Sequence, residues 1–270
     1  MKFTKMHGIG NDFVVVDGFK YTSIPDPGAL SEKMCDRHFG VGADGLIWMV
    51  PSDRADARMR IFNSDGSEPE MCGNGLRCAA QFLRDEGIVD SDVMTIETLA
   101  GILTVTISSR GITADMGAPV LTPAQIPVYS DSNRITLNVD GHRLNFFCVS
   151  MGNPHAVTFD LYPEDDSFYR LGPMLEHHSA FPAKANIEFC RVRDGGIDVR
   201  VWERGDGETL ACGTGACATL VAAASQGLAG RESLVRLPGG ELQIRWLENN
   251  HLEMTGPAET VFTGEWRETI

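Results

Sequence analysis

The sequence predicts an α+β fold of two pseudo-symmetric domains, each a mostly antiparallel, barrel-like sheet wrapped around a central helix. Three observations predict it. RIFNSDGSEPEMCGNG (60–75) lies over RVWERGDGETLACGTG (200–215) without a gap, matching Arg60 with Arg200, Glu68 with Glu208, Cys72 with Cys212 and both following glycines. Short runs of alternating apolar and polar residues recur in both halves, the pattern of strands with one buried face. The stretch CATLVAAA (217–224) is apolar nearly all round, which a helix tolerates only when it is covered on every side.

In chain order, MHGIGNDFVVVD (6–17) opens the first half and is echoed loosely by MGNPHAVTFD (151–160) in the second. The strand-like runs DFVVVD, ARMRIFN, VMTIETL and ILTVTI follow in the first half, and RITLNVD, GIDVRVWE, SLVRLP and ELQIRW in the second. Beyond Cys72 and Cys212, each segment runs helically and meets a glycine at the same distance, Gly87 and Gly227, where a left-handed cap ends a helix. TLAGILTV (98–105) then resembles LPGGELQI (237–244), and DMGAP (115–119) resembles MTGPA (254–258), both at an offset of 139 against 140 for the cysteines. Matches in one order at nearly constant offset mark a duplicated unit. The expected domains are 1–115, joined by 258–270 returning to it, and 116–257, with the active site in the cleft between them.

Composition narrows the function. A chain of 270 residues with 43% hydrophobic content builds real cores. Its formal charge of -14 argues against nucleic acid, whose phosphates demand an excess of Lys and Arg. There is no basic region followed by an apolar run at the start, and no stretch approaches the roughly 18 apolar residues of a membrane span, so a cytoplasmic protein without a membrane partner is expected. Seven cysteines, an odd number in such a chain, make a disulfide framework improbable.

GVGADG (40–45) has the letters of a dinucleotide fingerprint, but helix-like PGALSEKMCDRHF precedes it and strand-like LIWMV follows. The fingerprint needs the opposite order, so a turn ending a helix is expected. His177 and His178 adjoin no ligand-spaced partner and read as a solvated helix end. Cys72 and Cys78 are six apart and Cys212 and Cys217 five, turning roughly 240° and 140° about a helix. Neither pair shares a face, and neither is the CxxC of a zinc or redox site.

Cys72 and Cys212 could be small core residues. Their setting argues otherwise, because each precedes Gly-x-Gly at a helix start. Glycine there lowers helix propensity by about 1 kcal/mol relative to alanine, yet lets a ligand come close to the first N–H groups, which have no partner within the helix. A helix N-terminus also favours a thiolate. Two such sites facing one substrate would hold its carboxylate and set a thiol on each side of the α-carbon. One thiolate removes the α-proton, the opposite thiol supplies another, and the stereocentre inverts, while the helix ends stabilise the charge that develops on the carboxylate.

KMHGIGNDF, RIFNSDGSE, MCGNGLRC, SMGNPH, ANIEF, WERGDGET and ACGTGAC, taken together and in this order, resemble the diaminopimelate epimerase family over essentially the whole chain. The resemblance implies the fold of that family, an isomerase interconverting LL- and meso-diaminopimelate in lysine and peptidoglycan-precursor synthesis, no pyridoxal phosphate, no metal or other cofactor, and a homodimer. It implies Cys72 and Cys212 as the catalytic pair, with Gly73, Asn74, Gly213 and Thr214 offering N–H groups to the reacting carboxylate. Asn11, Asn63, Asn153, Asn186, Glu203 and Arg204 complete the implied substrate-binding set, with Arg204 gripping the distal carboxylate and nearby acceptors the distal ammonium. His155 is implied in a supporting role.

Read singly, Asn11 and Asn153 also fit turns and Glu203 with Arg204 a solvated charge pair. The chain departs from the family at Gly45, where many members carry Gln. Competing functions are a related cofactor-independent racemase of proline, hydroxyproline or histidine, and a non-catalytic amino-acid-binding protein. The proline type reads C-G-H-G where this chain has Asn74, and a monoacid substrate would leave Arg204 without a carboxylate.

Overall fold

The computed structural model describes residues 1–267, so residues 268–270 of the segment expected to return to the first domain lie outside the described residues. The chain packs as two units, one formed by Met1–Asp115 with the segment from Thr255 onward, the other by Met116–Met254.

In the first unit, β1 (Lys2–Gly8) and β2 (Asn11–Asp17) form an antiparallel hairpin. Its two-residue turn is Ile9 and Gly10, both at positive φ (50° and 88°), a conformation that strains a β-branched residue. After α1 (Pro27–Cys35), β3 (Gly45–Val50) runs parallel to β2, and β4 (Ala57–Asn63) antiparallel to β3. After α2 (Gly73–Asp85), β5 (Val93–Thr98) runs parallel to β4, and β6 (Gly101–Ser108) and β7 (Gly111–Asp115) follow as a meander. α2 packs against every strand from β1 to β7.

The second unit repeats this order. β8 (Arg134–Val139) pairs antiparallel with β9 (His142–Ser150), and β9 with β10 (Pro154–Thr158). After α3 (Asp165–Glu176), β11 (Asn186–Arg193) runs parallel to β10 and β12 (Gly196–Glu203) antiparallel to β11. The short β13 (Gly207–Glu208) leads to α4 (Gly213–Ser225). β14 (Glu232–Leu237) then runs parallel to β12 and antiparallel to β15 (Gly240–Trp246), before β16 (Leu252–Gly256). Finally β17 (Glu259–Glu265) pairs with β1, as β8 pairs with β9.

The apolar character of α4 has the expected cause. It packs against β9, β10, β11, β12, β14 and β15, and Leu220, Val221, Ala222 and Ala223 are fully buried. Each large side chain so placed contributes about 1.5–3 kcal/mol. α2 and α4 both run thirteen residues and stop where Gly87 and Gly227 take positive φ (64° and 72°). Ile88 and Leu228 then donate back to the Leu83 and Ala223 carbonyls, closing each helix with the bond a left-handed cap allows.

The helix-like run expected over 27–39 ends at Cys35. Asp36 ends it by accepting from the N–H groups of His38 and Phe39, each at 2.7 Å, a local turn that competes with continued helix. GVGADG is the loop leading from there into β3, with Gly42 at φ 79°. Among the described residues, no helix is long and apolar enough to cross a membrane.

Candidate active site

The same topology gathers one cluster of side chains in each unit. β2 begins at Asn11, and register sets Phe13 beside Gly45 at the start of β3 and Gly45 opposite Asn63 at the end of β4. In the second unit His155 lies beside Asn186 at the start of β11, and Ile187 opposite Trp202 near the end of β12. Cys72 and Cys212 are the N-cap residues of the two central helices, both in extended conformation with φ −138° and −123°.

In the first cluster, the half-buried Cys72 accepts from the Gly75 N–H at 3.5 Å, and its thiol lies 3.7 Å from Asn11 Oδ1. Asn11 Oδ1 also accepts from Asn74 Nδ2 at 3.1 Å, while Asn11 Nδ2 donates to Asp44 Oδ2 at 2.7 Å. Asn74 is fixed from the other side by the buried Arg77, which donates to its Oδ1 at 2.9 Å, to the Gly73 carbonyl at 3.5 Å and to the Pro257 carbonyl at 3.1 Å. Gly8 is a glycine for this reason, since a Cβ there would sit 2.9 Å from the Arg77 guanidinium. Asn63 stands apart, exposed, its amide donating to Ser67 Oγ at 3.0 Å.

In the second cluster, Cys212 is 4% exposed and its thiol donates to Glu203 Oε2 at 3.2 Å. Thr209 donates to the other oxygen of Glu203. Thr214 Oγ1 lies 3.6 Å from the sulfur and accepts from Asn153 Nδ2 at 3.4 Å. Asn153 Oδ1 meets His155 Nε2 at 2.9 Å, and His155 Nδ1 meets Glu188 Oε1 at 2.6 Å. His155 and Glu188 are fully buried. Asn186 donates to the Pro154 carbonyl and accepts from the Arg204 N–H, each at 2.9 Å. Arg204 Nη1 reaches the Ala183 carbonyl at 3.3 Å.

At Cys212 other forces oppose the thiolate that a helix N-terminus favours. Burial pushes its thiol well above the ordinary value, and the charges of Glu203 and Glu188 push it further, against the hydrogen bonds from Thr214 and the Gly215 N–H. The magnitudes explain the order. A helix terminus is worth about 0.3–1 kcal/mol, and one pKa unit about 1.4 kcal/mol, whereas full burial moves a group by as much as ~3–5 units. At Cys212 the setting therefore favours the neutral thiol. Burial likewise pushes the thiols of Cys78 and Cys148 up to about 12, the behaviour of inert core cysteines. Burial also raises Glu203 and Glu188, opposed by Thr209 and Cys212 for the first and by His155 for the second.

Sequence reasoning missed Arg77, Asp44, Glu188 and Thr209. A charged residue inside the buried run NIEFC was the available signal for Glu188, and Arg77 among the small and apolar residues of α2 for the other cluster. At Gly45 a Cβ would come 2.7 Å from the Phe62 carbonyl, so the Gln of other family members needs β4 to shift. Among the described residues, no group of three or more His, Cys, Asp or Glu could hold a metal ion.

The family model described as diaminopimelate epimerase matches residues 3–122 and 147–261. A protein of Desulfitobacterium hafniense named diaminopimelate epimerase is 51% identical, over 98% of this chain and 97% of its own length. One of Methanococcus maripaludis with the same name is 50% identical, over 98% and 99%. Among solved structures, a probable proline racemase from Agrobacterium radiobacter with bound carbonate superposes with a TM-score of 0.73 at 17% identity, covering 98% of this chain and 92% of that one; it shares the fold.

Proposed function

The chain belongs to the diaminopimelate epimerase family, and we propose that Cys72 and Cys212 perform its reaction as a two-base pair. The chain is an isomerase that interconverts LL- and meso-2,6-diaminopimelate, a step of lysine biosynthesis. The relatives at about half identity carry that name, which leaves the proline, hydroxyproline or histidine racemase and the binding protein unfavoured.

The observation that carries the mechanism is that each thiol sits at the N-cap of a central helix beside the N–H groups of Gly73 and Asn74 or of Gly213 and Thr214. The reading requires the thiols to reach opposite faces of one α-carbon. Cys72 takes the proton from one face as its S–H bond forms, the pair of electrons left behind delocalises into the carboxylate, and Cys212 delivers its proton to the other face. The reverse reaction exchanges the roles. N–H donors at the helix ends are worth more in the charged transition state than in the ground state, which is where catalysis needs them. Asn11 and Asn74 meet the substrate at the Cys72 end and Asn153 at the Cys212 end, with His155 in support. Asn63, Asn186, Glu203 and Arg204 bind the distal amino-acid moiety, with Arg204 on its carboxylate. A homodimer, a cytoplasmic location and a product shared with peptidoglycan-precursor synthesis belong to the same proposal, supported by the family resemblance.

Incubation of the purified protein with LL-diaminopimelate in heavy water tests it. The meso product is expected to carry solvent deuterium at the inverted α-carbon, because the incoming proton comes from a thiol in exchange with solvent. Inversion with retention of the substrate hydrogen would overturn the two-base mechanism.

A further inference from the structure

Glu176 is a carboxylate in an unfavourable place. It is the last residue of α3, where the partial negative charge of the helix C-terminus opposes an anion, and it is 4% exposed. Burial pushes its carboxyl up, but donors hold it net below the ordinary range, so it is anionic at neutral pH. Its Oε1 accepts from the Gly205 N–H at 3.0 Å and from Lys184 Nζ at 3.3 Å, and its Oε2 from Trp202 Nε1 at 2.9 Å. Lys184 is largely exposed and adds little. Two of the three donors therefore come from the strand end and loop on either side of Arg204.

That loop is a tight turn, with Glu203 paired to Gly207 across it and the Asp206 N–H donating to the Glu203 carbonyl at 3.3 Å. Gly205 turns it at φ 93°, and the Arg204 N–H is held by Asn186 Oδ1 at 2.9 Å. Consecutive N–H groups, at 204 and 205, are thus held by two buried side chains from different elements. Trp202 seats against α3 so closely that a Cβ at Gly172 would lie 2.4 Å from its ring, which fixes the indole N–H on Glu176.

We propose that Glu176 is a positioning residue, which straps the Arg204 loop to α3 so that the guanidinium is preorganised for the distal carboxylate of the substrate. The inference rests on the reading of Arg204 as the group that grips that carboxylate. A planar guanidinium binds a carboxylate through two parallel hydrogen bonds, so its value depends on orientation. A loop free to wander by an ångström loses binding without touching the proton transfer.

The test compares E176Q, W202F and R204M with the wild type in steady-state epimerisation of diaminopimelate, with thermal unfolding followed in parallel. E176Q keeps the shape, but its amide group meets one of the N–H donors with an N–H of its own. It is expected to raise KM about tenfold or more while kcat changes less than about threefold, the signature of lost uniform binding. W202F removes one donor and is expected to raise KM less, in the same direction. If E176Q does not fold, W202F decides. A folded variant with wild-type KM, or with a fall confined to kcat, while R204M has raised KM, overturns the positioning role and leaves Arg204 in place. R204M with wild-type KM overturns the reading of Arg204, and the inference with it.

Discussion

The Cys212 thiol donates to Glu203 Oε2 at 3.2 Å, so the thiol at a helix N-terminus, where a thiolate is favoured, instead spends its proton on a buried carboxylate. Glu203, proposed above to bind the distal end of the substrate, thereby also adds to what burial does and raises the proton affinity of the thiol.

A pH profile reads this directly. Burial, Glu203 and Glu188 in that order push Cys212 up, so in the direction that uses Cys212 as acid, activity persists into alkaline solution and falls as pH rises through the raised value. E203Q removes one negative charge, lowers that value, and is expected to move the alkaline limb of kcat/KM to lower pH, whatever it does to substrate affinity. A limb that stays in place, or moves upward, would show that Glu203 does not act on the thiol.

Replacing Cys72 or Cys212 by Ala takes the acid or the base from one face of the α-carbon, and epimerisation is expected to fall beyond the roughly 10² to 10⁴ of a single acid–base group. Cys78→Ala and Cys217→Ala, both fully buried one to two turns into the helices, are expected to retain turnover and to lose about 1 kcal/mol of stability. Near-normal turnover by Cys72→Ala would sink the two-base assignment, and thermal unfolding separates the two kinds of loss.

Arg204→Met is expected to raise KM for diaminopimelate by two orders of magnitude or so, the loss of a charge-assisted bidentate pair of about 3 kcal/mol. Arg204→Lys is expected to recover only part of it, because an ammonium lacks the planar fork. Complete rescue by Lys would mean that charge alone matters at this position.

The repeat was legible because it preserves what topology needs: the parallel and antiparallel order of β1 to β6 reappears in β9 to β15, the short β13 aside, with Cys72 and Cys212 capping the central helices. The candidate binding residues were singled out only through family motifs. Asn11 and Asn153 look like turn residues in the sequence, and in the structure each does lie beside a turn; what singles them out is a partner distant in the chain, Asp44 and Asn74 for the first and Thr214 for the second. The proton state of Cys212 was not legible, since position on a helix is local whereas its burial beside Glu203 and Glu188 arises from three separate elements. Glu176 escaped for the same reason. Its neighbours His177 and His178 announce an exposed helix end, and nothing local says that the last carboxylate turns inward.

Gly75 and Gly215, in the first turns of α2 and α4, separate a packing role from a chemical one. A Cβ added at Gly75 would meet Ile61 Cδ1 at 3.2 Å and Ile47 Cδ1 at 3.3 Å, the tips of flexible side chains that can turn aside. At Gly215 it would meet Glu188 Oε1 at 3.0 Å and Cys212 Sγ at 3.2 Å. Glu188 cannot yield, being fully buried and tied to His155 at 2.6 Å, and the sulfur can move only by leaving Glu203. Alanine favours a helix over glycine by about 1 kcal/mol, so neither substitution should unfold the protein. Gly75→Ala is expected to keep kcat within about threefold of the wild type. Gly215→Ala is expected to lower kcat roughly 10²-fold, as an ångström-scale misplacement of a reacting group does, with the unfolding temperature nearly unchanged. Equal activity in the two variants would show that the contact between Glu188, Gly215 and Cys212 does not set the position of the thiol.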